Sequence, residues 1–199
     1  MTCWALIPVK ASAESKSRLA GVLSSDERRT LVDMMLERVV DAARQAQSIE
    51  RVCLVGPSGM SLPKDVHLLD DPGKGLNAAV QSAFGRILSE ETGRPDRVII
   101  VAADLPQITA RELDLLAAAP PETIVIAPDR HETGTNALSL PLHLAADFHF
   151  AFGTDSFSRH KVETERLGLS LQIVLSPGLE YDVDEPDDLD HARNAIGPV

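Results

Sequence analysis

The sequence predicts a single α/β domain over residues 1–199, a mainly parallel sheet covered by helices on both faces. Three observations carry this. Short apolar, β-branched runs alternate along the chain with stretches of helical spacing, the pattern of strand–helix–strand units. Helix-start signals fall between those runs, at Ser24-Ser-Asp-Glu27 and Thr109-Ala-Arg-Glu112. The length of 199 residues, 44% of them hydrophobic, suits one core, and no repeat, low-complexity tract or linker divides it.

Taken in order, Trp4-Ala-Leu-Ile-Pro-Val-Lys10 reads as a buried strand broken at Pro8. The first capping box opens a helix with apolar residues at Leu31, Met35, Val39 and Ala43. Val52 to Val55 is a second strand, closed by Gly56-Pro57, and Val66 to Leu69 a short third. Helical spacing returns from Leu76 to Leu88 through Val80, Ala83, Phe84 and Ile87. Val98-Ile-Ile-Val-Ala102 is the most hydrophobic run and reads as a central strand. The second capping box starts a helix that stops before Pro120-Pro121. Thr123 to Ala127 is another strand, and Ala137 to Leu140 follows the Gly134-Thr-Asn136 turn as a further one. Phe148 to Phe152 alternates apolar and polar positions up to Gly153. A helix after Ser156 ends at Gly168, Leu171 to Leu175 is the last strand, and Pro186 starts a terminal helix with an acidic first turn.

Composition narrows the function classes. A net charge of −11 argues against nucleic acid or an anionic membrane surface as partner. Cys3 and Cys53 sit in apolar runs and read as small buried hydrophobes, with no disulfide framework. No basic segment precedes a long apolar stretch and no run is long enough to span a bilayer, so a soluble cytoplasmic protein is expected. A homodimer through an exposed sheet edge or helix is compatible with the sequence.

The chemistry gathers where strands end. Beyond the first strand, Lys10, Lys16 and Arg18 put three cations within nine positions. At the carboxyl edge of an open sheet such a loop suits a polyphosphate, although an ordinary solvated turn has the same composition. Three further polar segments follow predicted strands: Gly73-Lys-Gly-Leu-Asn77, Asp104-Leu-Pro106 and Tyr181-Asp-Val-Asp184. A carboxylate directly after a buried strand, as at Asp104, needs a partner or a metal, or else caps the next turn. Asp182 and Asp184 point the same way on an extended segment. Carboxylates from separate segments facing a cationic loop match a magnesium–nucleotide site. Gly134-Thr135 and Phe152-Gly153-Thr-Asp-Ser156 are small polar turns that either seat a second anion or serve as tight turns with a cap. His160, four residues after Ser156, reads as a packing or solvated side chain. The P-loop pattern, the dinucleotide G-x-G-x-x-G, the G-x-S-x-G elbow and zinc-type His/Cys spacing are all missing from the sequence.

Together, Ile7-Pro-Val-Lys10, Lys16-Ser-Arg18-Leu19, Gly75-Leu-Asn77, Asp104-Leu-Pro106, Ala127-Pro-Asp129, Gly134-Thr-Asn-Ala-Leu138, Phe152-Gly153-x-x-Ser156-Phe157 and Asp182-Val-Asp184-x-Pro186-x-Asp188-Leu189 resemble one family. It is the 2-phospho-L-lactate guanylyltransferase family, whose members help assemble the deazaflavin coenzyme F(420). The ordered set runs from residue 4 to about residue 192, nearly the whole chain. The resemblance implies a three-layer α/β/α sandwich of the glycosyltransferase-A-like nucleotidyltransferase kind. It also implies magnesium-dependent transfer of GMP from GTP to 2-phospho-L-lactate, phosphoenolpyruvate or 3-phospho-D-glycerate, with pyrophosphate released.

By the same resemblance, Lys10, Lys16 and Arg18 contact the GTP phosphates, and Gly75 and Asn77 lie against the nucleoside. Asp104, Asp184 and Asp182 hold magnesium, while Thr135, Gly153 and Ser156 bind the acceptor. Lys16, Arg18 and Asp104 are the expected catalytic residues. The Asp129–Gly134 loop, Arg130-His-Glu-Thr133, departs from the pattern where acceptors would be discriminated. The rival readings are a molybdenum-cofactor or sugar-phosphate nucleotidyltransferase of the same fold and a non-catalytic nucleotide-binding protein. The first pair favours a glycine-rich N-terminal loop, and Pro8-Val-Lys10 stands in that place without glycine.

Overall fold

Cys3, Ala5 and Ile7 face one side of the first strand and Trp4 and Leu6 the other, and all five are buried. A strand buried on both faces needs a layer on each. The structure, a computed structural model, describes residues 1–9, 16–60 and 62–197. Its strands are β1 (Cys3–Pro8), β2 (Ile49–Gly56), β3 (Val66–Asp70), β4 (Arg97–Val101), β5 (Thr123–Pro128), β6 (Thr135–Pro141) and β7 (Ser170–Ile173). They form one sheet in the order β3-β2-β1-β4-β6-β5-β7. Every strand pairing is parallel except those of β6, which lies antiparallel between β4 and β5.

The helices are α1 (Ser25–Gln45), α2 (Leu76–Ser89), α3 (Ala110–Ala117), α4 (Ser156–Arg166), α5 (Pro177–Glu180) and α6 (Leu189–Ile196). Val39 and Ala43 of α1, Leu113 and Leu116 of α3 and Leu179 of α5 cover one face of the sheet. Val80, Phe84 and Ile87 of α2, Phe157 of α4 and the loop residues Phe148 and Phe150 cover the other. This is the expected three-layer sandwich. A smaller cluster joins Leu19, Leu31, Met35, Val183 and Leu189, tying the Ser17–Gly21 3₁₀ turn and α6 to the first turns of α1. Both capping boxes form; Ser24 N–H donates to Glu27 Oε2 at 2.7 Å and Thr109 N–H to Glu112 Oε2 at 2.8 Å. Cys3 and Cys53 are buried free thiols, pushed up to about 12 and about 11 by that burial.

Several elements differ from expectation. The alternation at Phe148–Phe152 is real in burial, yet the segment joins no strand. Side chains take the place of a ladder there: His149, Ala151 and Phe152 donate their backbone N–H groups to Glu163 Oε1, His160 Nε2 and Asn77 Oδ1. The terminal helix begins as a 3₁₀ turn, Pro186–Asp188, before α6. The short α5 carries no periodic signal in four residues, and β7 starts one residue before the apolar run and is exposed throughout.

Arg97, the first residue of β4, is wholly buried and, among the described residues, forms no ion pair with a carboxylate. Its guanidinium donates to Ser139 Oγ (3.1 Å) and to the carbonyls of Pro120 (2.8 Å) and Thr123 (3.0 Å), while Ser139 Oγ–H continues to Leu116 O (2.9 Å). One side chain therefore fastens the α3–β5 connection to the middle of the sheet. Removing it strands several buried acceptors at once, each costing about 1–3 kcal/mol. Arg97→Ala should lower folding stability by about 3 kcal/mol or more, read from urea midpoints; a change under about 1 kcal/mol would contradict this role.

Candidate active site

Because β6 runs against its neighbours, its first residues reach the sheet edge where β1, β4 and β5 end. Ala137 is in register with Val101 and Ala127, and Asn136 O accepts from Ala102 N–H at 2.8 Å. A cleft of about 1050 Å³ opens along this edge, at the upper end of small-molecule sites. Crevices beyond the carboxyl ends of strands are where open α/β sheets bind ligands.

One end of the cleft is ionic. Asp104 follows β4, and Asp182 and Asp184 follow α5 on the segment leading to α6. Each offers an oxygen, and the three oxygens lie within 4.8 Å of one another. Lys16 reaches in from the N-terminal side, its side chain only 8% exposed, donating to Asp104 and to Asp184 Oδ1 (2.9 Å). Burial alone would pull its ammonium down, but the two carboxylates outweigh that and hold its pKa above the ordinary lysine value. Asp182 is pushed up to about 6, first by burial and then by the charges of Asp104 and Asp184, while the Asn136 amide (3.3 Å) opposes the rise. Three carboxylates against one ammonium leave negative charge in excess, and the donor set is all oxygen. Such a set fits a hard divalent cation. Arg18 stands at the rim, 69% exposed, with Glu185 Oε1 at 3.6 Å.

The rest of the lining mixes small polar residues, among them Gly134, Thr135, Gly153 and Ser156, with Asp129, Arg130, His131 and Asp155. Gly134 lies so close to Asp129 that a Cβ there would come within 2.8 Å of Oδ2. The Asp129 carboxylate in turn accepts from Thr133 N–H (2.8 Å) and Oγ–H (3.1 Å), folding the loop that delivers Thr135. Gly153 has φ +113°, open to glycine and strained for other residues. Ser156, buried, is the first residue of α4. Two of that helix's leading N–H groups are already engaged, Ser156 with Gly153 O and Phe157 with Thr133 O, so the Ser156 hydroxyl rather than those amides is its available donor. Thr135 Oγ lies 3.0 Å from Nδ1 of buried His160.

Residues 3–192 match the family described as guanylyl transferase CofC-like. The chain belongs to that family. It is 42% identical over 195 residues to the phosphoenolpyruvate guanylyltransferase of Sphaerobacter thermophilus, covering 96% of this chain and 92% of that one. It is 35% identical to the 2-phospho-L-lactate guanylyltransferase of Haloarcula marismortui, over 92% of this chain and 81% of the other. Among solved structures, a Desulfovibrio desulfuricans G20 protein assigned to the nucleotide-diphospho-sugar transferases superimposes with a TM-score of 0.76 at 16% identity, covering 96% and 86% of the two chains. That likeness shows the α/β fold alone; it is the family membership that makes the chain a nucleotidyltransferase.

Within this guanylyl transferase CofC-like chain, the residues singled out from sequence divide into three groups. Lys16, Arg18, Asp104, Asp182, Asp184, Thr135, Gly153 and Ser156 all line the cleft. Gly75, at φ +88°, is the N-cap of α2, and the Asn77 amide is engaged with the Phe152 backbone in both directions, at 2.7 and 3.0 Å. Of that segment it is Leu76 that lines the cleft. Lys10 lies outside the described residues. Three contributors carried little signal. Asp188 accepts from the Asp184 and Glu185 amides (2.9 and 2.8 Å) and pairs with Arg130, so it shapes the loop bearing two of the carboxylates. It is hidden in an acidic run. Asn136 binds Leu179 O (2.9 Å) as well as Asp182. His160 had only its four-residue spacing from Ser156.

Burial pulls His160 down to about 4, against a small opposing effect of Glu163. The unfolded chain takes up this proton near 6.5 and the folded protein only near 4, so its contribution is full above about 6.5 and is lost as pH falls toward 4. The loss should be on the order of 3 kcal/mol. Urea midpoints at pH 7 and pH 4 should fall further in the wild type than in His160→Gln; equal falls would contradict the buried neutral imidazole.

Proposed function

We propose that this chain transfers GMP from GTP to a three-carbon phosphoacid, releases pyrophosphate, and serves the assembly of coenzyme F(420). Phosphoenolpyruvate is the leading acceptor, supported by the name of the Sphaerobacter relative. The observation that carries the reading is that one cleft holds both a carboxylate–lysine cluster and a set of hydroxyls and glycines, Thr135, Gly153 and Ser156. The first suits a magnesium triphosphate, and the second suits a smaller anion presented to it.

In this reading Lys16 and Arg18 hold the triphosphate, and Asp104, Asp182 and Asp184 would hold magnesium. Magnesium, when bound, supplies charge stabilisation for the transferring phosphoryl group and the leaving pyrophosphate. Thr135, Ser156 and the Gly153 backbone orient the acceptor so that its phosphate oxygen attacks the α-phosphorus in line with departing pyrophosphate. A phosphate monoester has a second pKa of about 6 and is largely ionised near neutral pH, so the chain needs no general base. Its contribution is to position two anions against their repulsion and to stabilise charge as it develops.

Pyrophosphate release with GTP, magnesium and a panel of phosphoenolpyruvate, 2-phospho-L-lactate and 3-phospho-D-glycerate tests this. Phosphoenolpyruvate should give the fastest release; silence with every acceptor would overturn the reading. Asp104→Asn should lower turnover by about 10²–10³ with its circular dichroism unchanged, since one electrostatic contact to the transition state has that worth. Near-normal turnover in that variant would remove Asp104 from the metal set.

A further inference from the structure

We infer that His160 is a positioning residue that makes the Thr135 hydroxyl a hydrogen-bond donor directed into the cleft, toward the anionic group of the acceptor. This rests on the acceptor end proposed above and adds a residue to it. His160 is fully buried on α4, packed between Phe148 (ring centroids 5.6 Å apart) and Phe152 (4.9 Å, edge-on). Both ring nitrogens are engaged. Ala151 N–H donates to Nε2 at 3.1 Å, and a backbone amide can only donate, so Nε2 must carry the lone pair. In a neutral imidazole the proton is then on Nδ1, which faces Thr135 Oγ at 3.0 Å. Nδ1–H donates, and the threonine oxygen accepts.

The consequence lies in the remaining proton. With its oxygen taken as acceptor, the hydroxyl hydrogen of Thr135 must seek an acceptor elsewhere, and among the described residues this hydroxyl has no second side-chain partner. Thr135 lines the cleft beside Gly153 and Ser156. The opposite tautomer would reverse the bond: Thr135 would donate to His160 and turn only lone pairs toward the ligand, which an anion would meet as repulsion. The Ala151 amide thus sets, through one imidazole, the polarity of a group two hydrogen bonds away. The aromatic walls exclude water that could otherwise satisfy either nitrogen.

Nitrogen-15 NMR of the histidine side chains of the whole protein tests the tautomer without any variant. His160 should show a protonated Nδ1 and an unprotonated Nε2 between pH 8 and pH 5.5; the reverse pattern, or an imidazolium, overturns the inference. Kinetics with each substrate varied while the other is saturating test the consequence. His160→Gln reaches Ala151 but not Thr135 and should raise the KM for phosphoenolpyruvate about tenfold or more, with the KM for GTP unchanged. His160→Asn, whose amide can still donate to Thr135, should restore most of that loss. In a Thr135→Val background His160→Gln should have no further effect on the acceptor KM, because the group it orients is gone; independent, multiplying effects would mean a structural role only and overturn the inference. If Thr135→Val itself leaves the phosphoenolpyruvate KM unchanged, the acceptor end has been misplaced and both readings fail. If Thr135→Val raises it and His160→Gln does not, the positioning role alone fails.

Discussion

The oxygens of Asp104, Asp182 and Asp184 lie within 4.8 Å of one another, and like charges this close cannot all stay ionised without a cation among them. The chain supplies one in Lys16, whose ammonium is bonded to two of the three. Its backbone is left-handed, φ 60° and ψ 41°, a conformation unfavourable for lysine and retained here where a two-carboxylate ion pair fixes the side chain. Asp182 is outside that pair and shows the residual repulsion, its carboxyl pushed up to about 6 by burial and its two neighbours. The supports around it follow from the same constraint. Asn136 ties Asp182 to β6, and Asp188 gathers the Asp184 and Glu185 amides while its own charge is met by Arg130.

One reversed strand makes the second half of the cleft. Had β6 been parallel like the other strands, its first residues would lie at the far end of the sheet and only the loop after it could reach the site. Running antiparallel, it enters at the functional edge, so Thr135 and Asn136 are strand residues with fixed direction. Residues on strands are held more rigidly than residues on loops. The Phe148–Phe152 segment then closes the wall with no strand partner, held by Asn77, His160 and Glu163 side chains that substitute for a ladder.

The layered fold was legible because its signals are local and redundant. The short continuous apolar run of β1, two capping boxes and helical spacing in α1 and α2 each point to the same sandwich. Most of the cleft was legible for a related reason: residues directly after buried strands must lie at one edge, whatever the details of packing. Direction of a strand is a different matter, since an apolar run such as Ala137–Leu140 reads the same parallel or antiparallel, and β6 shows its orientation only through its partners. Asn77 was placed against the nucleoside by resemblance, whereas the structure engages its amide with the Phe152 backbone, a contact spanning 75 residues that no local pattern encodes. His160 and Asp188 escaped for the same reason. Their importance lies in what they touch, which neither the four-residue spacing of His160 from Ser156 nor the place of Asp188 in an acidic run discloses.

The distribution of charge gives the two ends different tasks on the proposed reading. Both substrates are anions in a protein of net charge −11, so attraction has to be local. If fixed cations lined both ends, the triphosphate would compete for the acceptor's place, since long-range attraction does not distinguish one polyanion from another. On that reading the cations at the triphosphate end are Lys16, paired with Asp104 and Asp184, and Arg18, 3.6 Å from Glu185. Arg130, which also lines the cleft, is neutralised by Asp188, and buried His160 is held neutral. The donors offered at the acceptor end are the Thr135 and Ser156 hydroxyls and glycine backbone, beside the carboxylates of Asp129 and Asp155, and they satisfy an anion only at hydrogen-bond distance and in the right direction. Such groups discriminate by geometry, and geometry is what an in-line transfer between two mutually repelling anions requires.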